Sequence, residues 1–153
     1  MKKPLAWMVA LVALCFWSVP VSGGGGWIVG ADNDRERFER IESYLGGFSA
    51  AMWETGYRYE RVREAIEDES YDLAAYHWGK IRSAIRNGYK KRPARQANAD
   101  AIFLDSAWPT LDEALKSGNS ERIQNALSGA RAACMACHEA EGVGFMNDMR
   151  MVR

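Results

Sequence analysis

Near the end of the chain two cysteines and a histidine stand together, Cys134-Met135-Ala136-Cys137-His138. A C-x-x-C-H spacing of this kind is the pattern of covalent haem attachment. Two thiols three residues apart on a helix share one face and reach the two vinyl groups of a single porphyrin, while the next imidazole meets the iron from the same side. Other chemistries use these residue types too. A dithiol redox motif belongs at a helix start beside a βαβ pattern, which this sequence lacks. A zinc site needs a further Cys or His pair, and beyond these three residues only His77 and the N-terminal Cys15 remain. A disulfide would close a very small loop and leave His138 without a role. The expectation is one haem c, held by thioethers to Cys134 and Cys137, with His138 as proximal iron ligand.

What stands opposite His138 decides the chemistry. A sulfur or second imidazole makes a closed site suited to moving electrons, and an apolar residue leaves the iron open to small gases. Met52 lies on an inward stripe and is the candidate distal ligand; as a flexible apolar residue it also serves as core filler. His77 is the alternative, the only other imidazole in the chain. Met146, Met149 and Met151 form a Met-rich tail able to fold back, although terminal segments generally fray.

Helices must position these groups. Phe38, Ile41, Leu45, Phe48, Met52, Thr55, Tyr59, Val62 and Ile66 recur at 3-4 spacing, which predicts one long first helix from about residue 33. A second is predicted over about 71–89, with Ala74, Trp78, Ile81 and Ile85 inward, ending where Lys90-Lys91-Arg92 suits the helix dipole and Pro93 disfavours continuation. The third, about 94–116, carries Ala97, Ala101, Leu104, Trp108, Leu111 and Leu115 and is kinked or restarted at Pro109. Ser117-Gly118-Asn119-Ser120 closes it and caps a fourth, with Ile123, Leu127, Ala130, Cys134 and Cys137 inward. Lys90, Lys91, Arg92 and Arg95 are read as a helix-end cap with solvated charges, the alternative being a dock for an acidic partner; Trp53, Tyr57, Tyr59, Trp78 and Trp108 are read as core aromatics, the alternative being electron paths or haem stacking. The fold class expected is all-α, an antiparallel four-helix bundle with the haem near its C-terminal helix.

Lys2-Lys3, an apolar run from Leu5 to Val21 and then Ser22, Gly23 and Gly24 follow the order of an export signal, placing a signal peptide at 1–23, a glycine-rich linker at 24–32 and the haem domain at 33–153. An uncleaved apolar segment would be a membrane anchor instead, since its length meets the lower limit for spanning. Basic and acidic residues number 20 each, and loss of Lys2 and Lys3 leaves a net charge of about −2, so nothing in the balance points to nucleic acid.

The signal segment, four amphipathic stretches and a Cys-x-x-Cys-His close to the C-terminus resemble the class II c-type cytochromes, the cytochrome c-prime group. Tyr71-Asp72-Leu73-Ala74-Ala75-Tyr76 and Cys137-His138-Glu139-Ala140-Glu141-Gly142-Val143-Gly144-Phe145 are similar to a poorly characterised subset of such bundles. The resemblance implies thioethers at Cys134 and Cys137, ligation by His138, Met52 on the helix that forms the distal wall, and a homodimer. Glu139, Ala140 and Glu141 stand where many of these proteins carry an aromatic or basic residue, and Arg58-Tyr59 where the subset often has histidine, so distal chemistry is not carried over. The function expected is periplasmic electron transfer with an unidentified redox partner protein; the alternative is a five-coordinate haem protein binding NO or CO. A peroxidase would need a distal acid-base pair, for which His77 is the sole imidazole, so no enzyme is expected.

Overall fold

The computed structural model describes residues 26–150, so the expected signal peptide, with Cys15, and Met151 lie outside it. Two compact units divide the chain, Met1–Ile41 and Glu42–Arg153. In the first, a turn around residues 27–30 is tied by the Gly30 amide to the Gly26 carbonyl (2.6 Å) and by Arg37 Nε to the Ile28 carbonyl (3.3 Å). The expected linker is thus hydrogen-bonded over its described part. Helix α1, Asp34–Leu45, starts where Asn33 Oδ1 accepts from the Glu36 amide (2.9 Å) and the Glu36 carboxylate accepts from the Asp32 amide (2.8 Å). The first bond satisfies an amide that a helix start leaves open, and the second ties the preceding residue to the first turn.

Every regular element among the described residues is helical, and no described helix is long and apolar enough to cross a membrane. The single long helix expected over Phe38 to Ile66 is divided. Gly46 takes φ +65°, a conformation costly for other residues, and with Gly47 separates α1 from α2, Phe48–Glu67. Lys91 Nζ donates to the Leu45 carbonyl (2.9 Å), satisfying an acceptor at this break. Phe38 is 68% exposed, while Tyr59, Val62 and Ile66 of α2 are buried.

A turn at 68–70 joins α2 to α3, Tyr71–Lys91. The Ser70 and Glu69 amides return to the Ala65 (2.8 Å) and Ile66 (3.1 Å) carbonyls, with Glu69 itself at φ +54°. The two helices pack closely at Gly88, where an added Cβ would lie 2.7 Å from Ala51 Cβ and 3.0 Å from the Phe48 ring. After Arg92 the chain makes a 3-10 turn, Pro93–Arg95, then α4, Gln96–Asn98, a π-helical stretch, Ala99–Ala107, and α5, Trp108–Ser117. Pro109 has no amide hydrogen to continue an α-helical ladder, and the Trp108 amide bonds the Phe103 carbonyl five residues back. Wider winding shifts the inward stripe. Ala99, Phe103 and Leu104 are buried, while Ala97 and Ala101, expected inside, are exposed.

Trp78 and Trp108 clasp α3 to α5. Each indole N–H donates to the other's carbonyl (2.9 and 3.1 Å), and their rings lie 4° from parallel with centroids 6.5 Å apart. Asn119 Oδ1 accepts from the Arg122 amide (2.9 Å) to open α6, Ser120–Ala140, as the sequence led one to expect. One core joins these segments. Its largest fully buried side chains are Val62 of α2, Trp78 and Ile81 of α3, Leu111 of α5 and Ile123 of α6. Burial of each aliphatic one is worth about 1.5–3 kcal/mol. Trp53, 77% exposed, and Tyr57, also exposed, do not line this core, whereas Tyr59 and Trp78 do.

Two glycines of α3 make opposite demands. Nothing lies within 4 Å of a Cβ added at Gly79, so Gly79→Ala is expected to stabilise the chain by about 0.5–1 kcal/mol through helix propensity. Gly88→Ala is expected to destabilise it by about 1–3 kcal/mol through overpacking against Ala51. Paired thermal or urea unfolding of the two variants checks this: a rise in Tm for Gly88→Ala would contradict the packing at Gly88, and a fall for Gly79→Ala would contradict the open space at Gly79.

Candidate functional site

Helix α6 carries one apolar stripe along its length. Ile123, Ala126 and Ala130 are buried on it, and the same 3-4 spacing continues to Cys134 and Cys137. Both cysteines are free and half-buried, and Cys134 packs against the core cluster. Burial, followed by the neighbouring Cys137, pushes the Cys134 thiol up to about 12. Burial also raises Cys137, against the opposing pull of the Arg95 cation. At neutral pH both sulfurs therefore keep their protons, which opposes reactivity as thiolates. Cysteines three apart on an intact helix have Cβ atoms about 5–6 Å apart, wider than the roughly 3.5–4.5 Å of a disulfide.

His138 lies one residue on, half-buried, and its ring is held by the chain that follows α6. Gly142 at φ +70° ends the helix: its amide bonds the Glu139 carbonyl (3.0 Å) and the Val143 amide bonds the His138 carbonyl (2.9 Å), a paired closure that glycine in the left-handed region allows. The chain then doubles back through a 3-10 turn, Gly144–Asp148. Asn147 thereby comes beside His138, its Oδ1 lying 2.8 Å from His138 Nδ1. Asn147 Nδ2 donates to Glu139 Oε1 (3.0 Å) and to the Met135 carbonyl (3.3 Å).

On the other side of the helix end, Glu141 is gripped by the segment after α3. Arg95 Nη1 forms an ion pair with its carboxylate and donates to its carbonyl (3.1 Å), and Asn98 Nδ2 donates to its Oε1 (2.8 Å). Arg95 is thus an internal brace for α6 as well as part of a basic run. Sequence reasoning missed Asn147, Asn98 and this role of Arg95. Gly142 and Gly144 signalled a chain reversal, but no periodicity reaches across it.

No family model matches the chain, and neither a curated protein nor a solved structure does. Function rests on the residues.

Tyr59, buried on α2, lies close enough to Cys134 for the thiol's charge to matter: burial and then Cys134 push its phenol up to about 12, against the pull of Arg63 and Arg131. Met52 stands two helical turns before Tyr59, on the same face of α2, and is partly buried against the core. Close helix packing runs from α2 to α3, α3 to α5 and α5 to α6, with α6 also on the π-helical stretch; α2 and α6 are not among the closely packed pairs. His77 sits in the α2–α3 seam. Its Nδ1 is 3.1 Å from Arg58 Nη1 and its ring meets Tyr76 edge-on. Burial, then Arg58 and Arg61, lower its pKa, which leaves a neutral ring accepting from Arg58. Met146 and Met149 are exposed in the returning tail. Among the described residues no three His, Cys, Asp or Glu side chains converge as ligands for a bare metal ion.

Two neutral thiols on one helical face, followed by an imidazole with Nδ1 engaged, are a donor set able to hold a haem through two sulfurs and Nε2. The titration has a direction. Because the Cys134 thiol rises from 9.0 to about 12 and the Tyr59 phenol from 10.0 to about 12, the folded chain holds these protons more tightly than the unfolded chain. Stability is retained below about pH 9 and lost as pH climbs toward 12. For haem-free chain, iodoacetamide should label Cys137 faster than Cys134 at pH 8, with unfolding by circular dichroism setting in above pH 9. Equal and rapid labelling of both thiols at neutral pH would contradict the burial of Cys134.

Proposed function

We propose that this chain is an exported mono-haem c-type cytochrome, an antiparallel four-helix bundle of the class II type, that carries electrons in the periplasm. The observation that carries this reading is the register of α6, which puts Cys134, Cys137 and His138 on one face with His138 Nδ1 already engaged by Asn147. Each thiol would add its S–H across one vinyl group, forming a C–S and a C–H bond with no change in redox state. Haem bound there would supply an iron able to cycle between the ferric and ferrous states.

The remaining work falls to the protein's own residues. Cys134 and Cys137 fix the group to α6, His138 offers Nε2, and the apolar stripe and Tyr59 keep water from one side. Met52, partly buried against the core on the Tyr59 face of α2, is the side chain that would offer a sulfur as the distal ligand. His77, occupied by Arg58 in the outer seam, would have to leave that partner to do so. Electron transfer follows from a closed site, with a redox protein as partner and a homodimer as the state the resemblance implies.

Expression with a cytochrome-maturation system should yield a coloured protein whose haem resists acidic-organic extraction. Cys134→Ala with Cys137→Ala should remove that resistance. Ferrous protein should bind carbon monoxide slowly or not at all, and Met52→Ala should open the site to it. Colourless mature chain would overturn the cytochrome reading; rapid carbon monoxide binding by the unaltered protein would replace electron transfer with gas binding.

A further inference from the structure

We propose that Asn147 is a positioning residue that fixes His138 in its Nδ1–H tautomer and holds the ring with Nε2 as the ligating nitrogen. In its iron-related part the proposal rests on the cytochrome reading; in its tautomer part it stands on the polypeptide alone. The network decides which way the amide faces. Its nitrogen has two acceptors within reach, Glu139 Oε1 at 3.0 Å and the Met135 carbonyl at 3.3 Å, neither of which can donate in its ordinary state. Turning the amide over would set its oxygen against both and break two hydrogen bonds. Asn147 Oδ1 therefore faces His138 Nδ1 at 2.8 Å, and because a carbonyl oxygen only accepts, Nδ1 must carry the hydrogen. In the neutral ring Nε2 then keeps its lone pair.

This contact is built rather than incidental. Asn147 is nine residues beyond His138 in the chain and reaches it only through the left-handed Gly142 and the 3-10 turn that follows. Gly144 leaves room for the same arrangement, since a Cβ there would displace the Glu139 carboxylate that orients the Asn147 amide. Glu139 thus acts on the imidazole through Asn147. Hydrogen bonding from the distal ring nitrogen of a ligating histidine fixes its orientation and raises its basicity, and losing such a partner costs roughly 10–100-fold in metal affinity or activity. A more basic ligand favours ferric over ferrous iron, so Asn147 would lower the reduction potential.

The test compares the unaltered full chain with Asn147→Leu, which keeps size and removes both amide functions, and with Asn147→Asp, which keeps an acceptor. In haem-free chain, two-bond 15N–1H correlations of the imidazoles should give a single Nδ1–H form for His138 and a mixture of tautomers in Asn147→Leu, with helicity by circular dichroism unchanged. In haem-loaded chain, Asn147→Leu should move the ferric–ferrous equilibrium about tenfold toward ferrous, near 59 mV for one electron, and Asn147→Asp should not move it in that direction. An Nε2–H form in the unaltered chain, or a tautomer distribution indifferent to Asn147→Leu, overturns the proposal whether or not haem is present. Failure to take up haem overturns the cytochrome reading alone and leaves the imidazole spectra to decide on Asn147.

Discussion

The register of α6 is the constraint from which the site follows. One stripe serves two purposes: Ile123, Ala126 and Ala130 anchor the first half of the helix in the common core, and the same turn-by-turn repetition carries Cys134 and Cys137 along that face to its end. Because the anchor is rigid and apolar, the thiols cannot rotate away without lifting Ile123 out of a fully buried position. Chemistry and stability are therefore coupled through a single helical phase. A one-residue insertion between Ala130 and Cys134 would turn the thiols by about 100° and cost the site its geometry while sparing the core.

Around that anchor the bundle is closed by specific contacts instead of uniform oiliness. The reciprocal indole bonds of Trp78 and Trp108 tie α3 to α5, and the absent side chain of Gly88 lets α2 come close to α3. The π-helical stretch before Pro109 resolves a missing amide by winding wider, and the altered phase brings Phe103 beside Trp78, ring centroids 5.5 Å apart. What remains less tightly joined is α2 to α6; Tyr59 belongs to the common buried cluster, against which Cys134 and Met52 both pack.

The end of α6 is braced from two directions. Arg95 and Asn98 hold Glu141 from the segment after α3, and Asn147 holds His138 from the returning tail. Bonds from charged or amide groups at a helix end resist fraying, which would otherwise loosen the last turn of any helix. For His138, two residues before the last residue of α6, that resistance separates a fixed imidazole from a mobile one.

Much of this was legible in the residues. The 3-4 repeats marked α2, α3, α5 and α6; Pro93, Gly118 and Asn119 marked their limits; and the C-x-x-C-H spacing singled out Cys134, Cys137 and His138. Such features are local, each written within a turn or two of the backbone. The break at Gly46-Gly47 was visible as glycine but outweighed by an apolar pattern that ran through it, and the phase change of the π-helical stretch exposed Ala97 and Ala101 against a strictly α-helical reading. Tertiary structure alone decided that His77 would be taken by Arg58, that Arg95 would brace Glu141, and that Asn147 would orient the His138 ring. These contacts join residues with no shared period, so only the closing of the chain upon itself could select them.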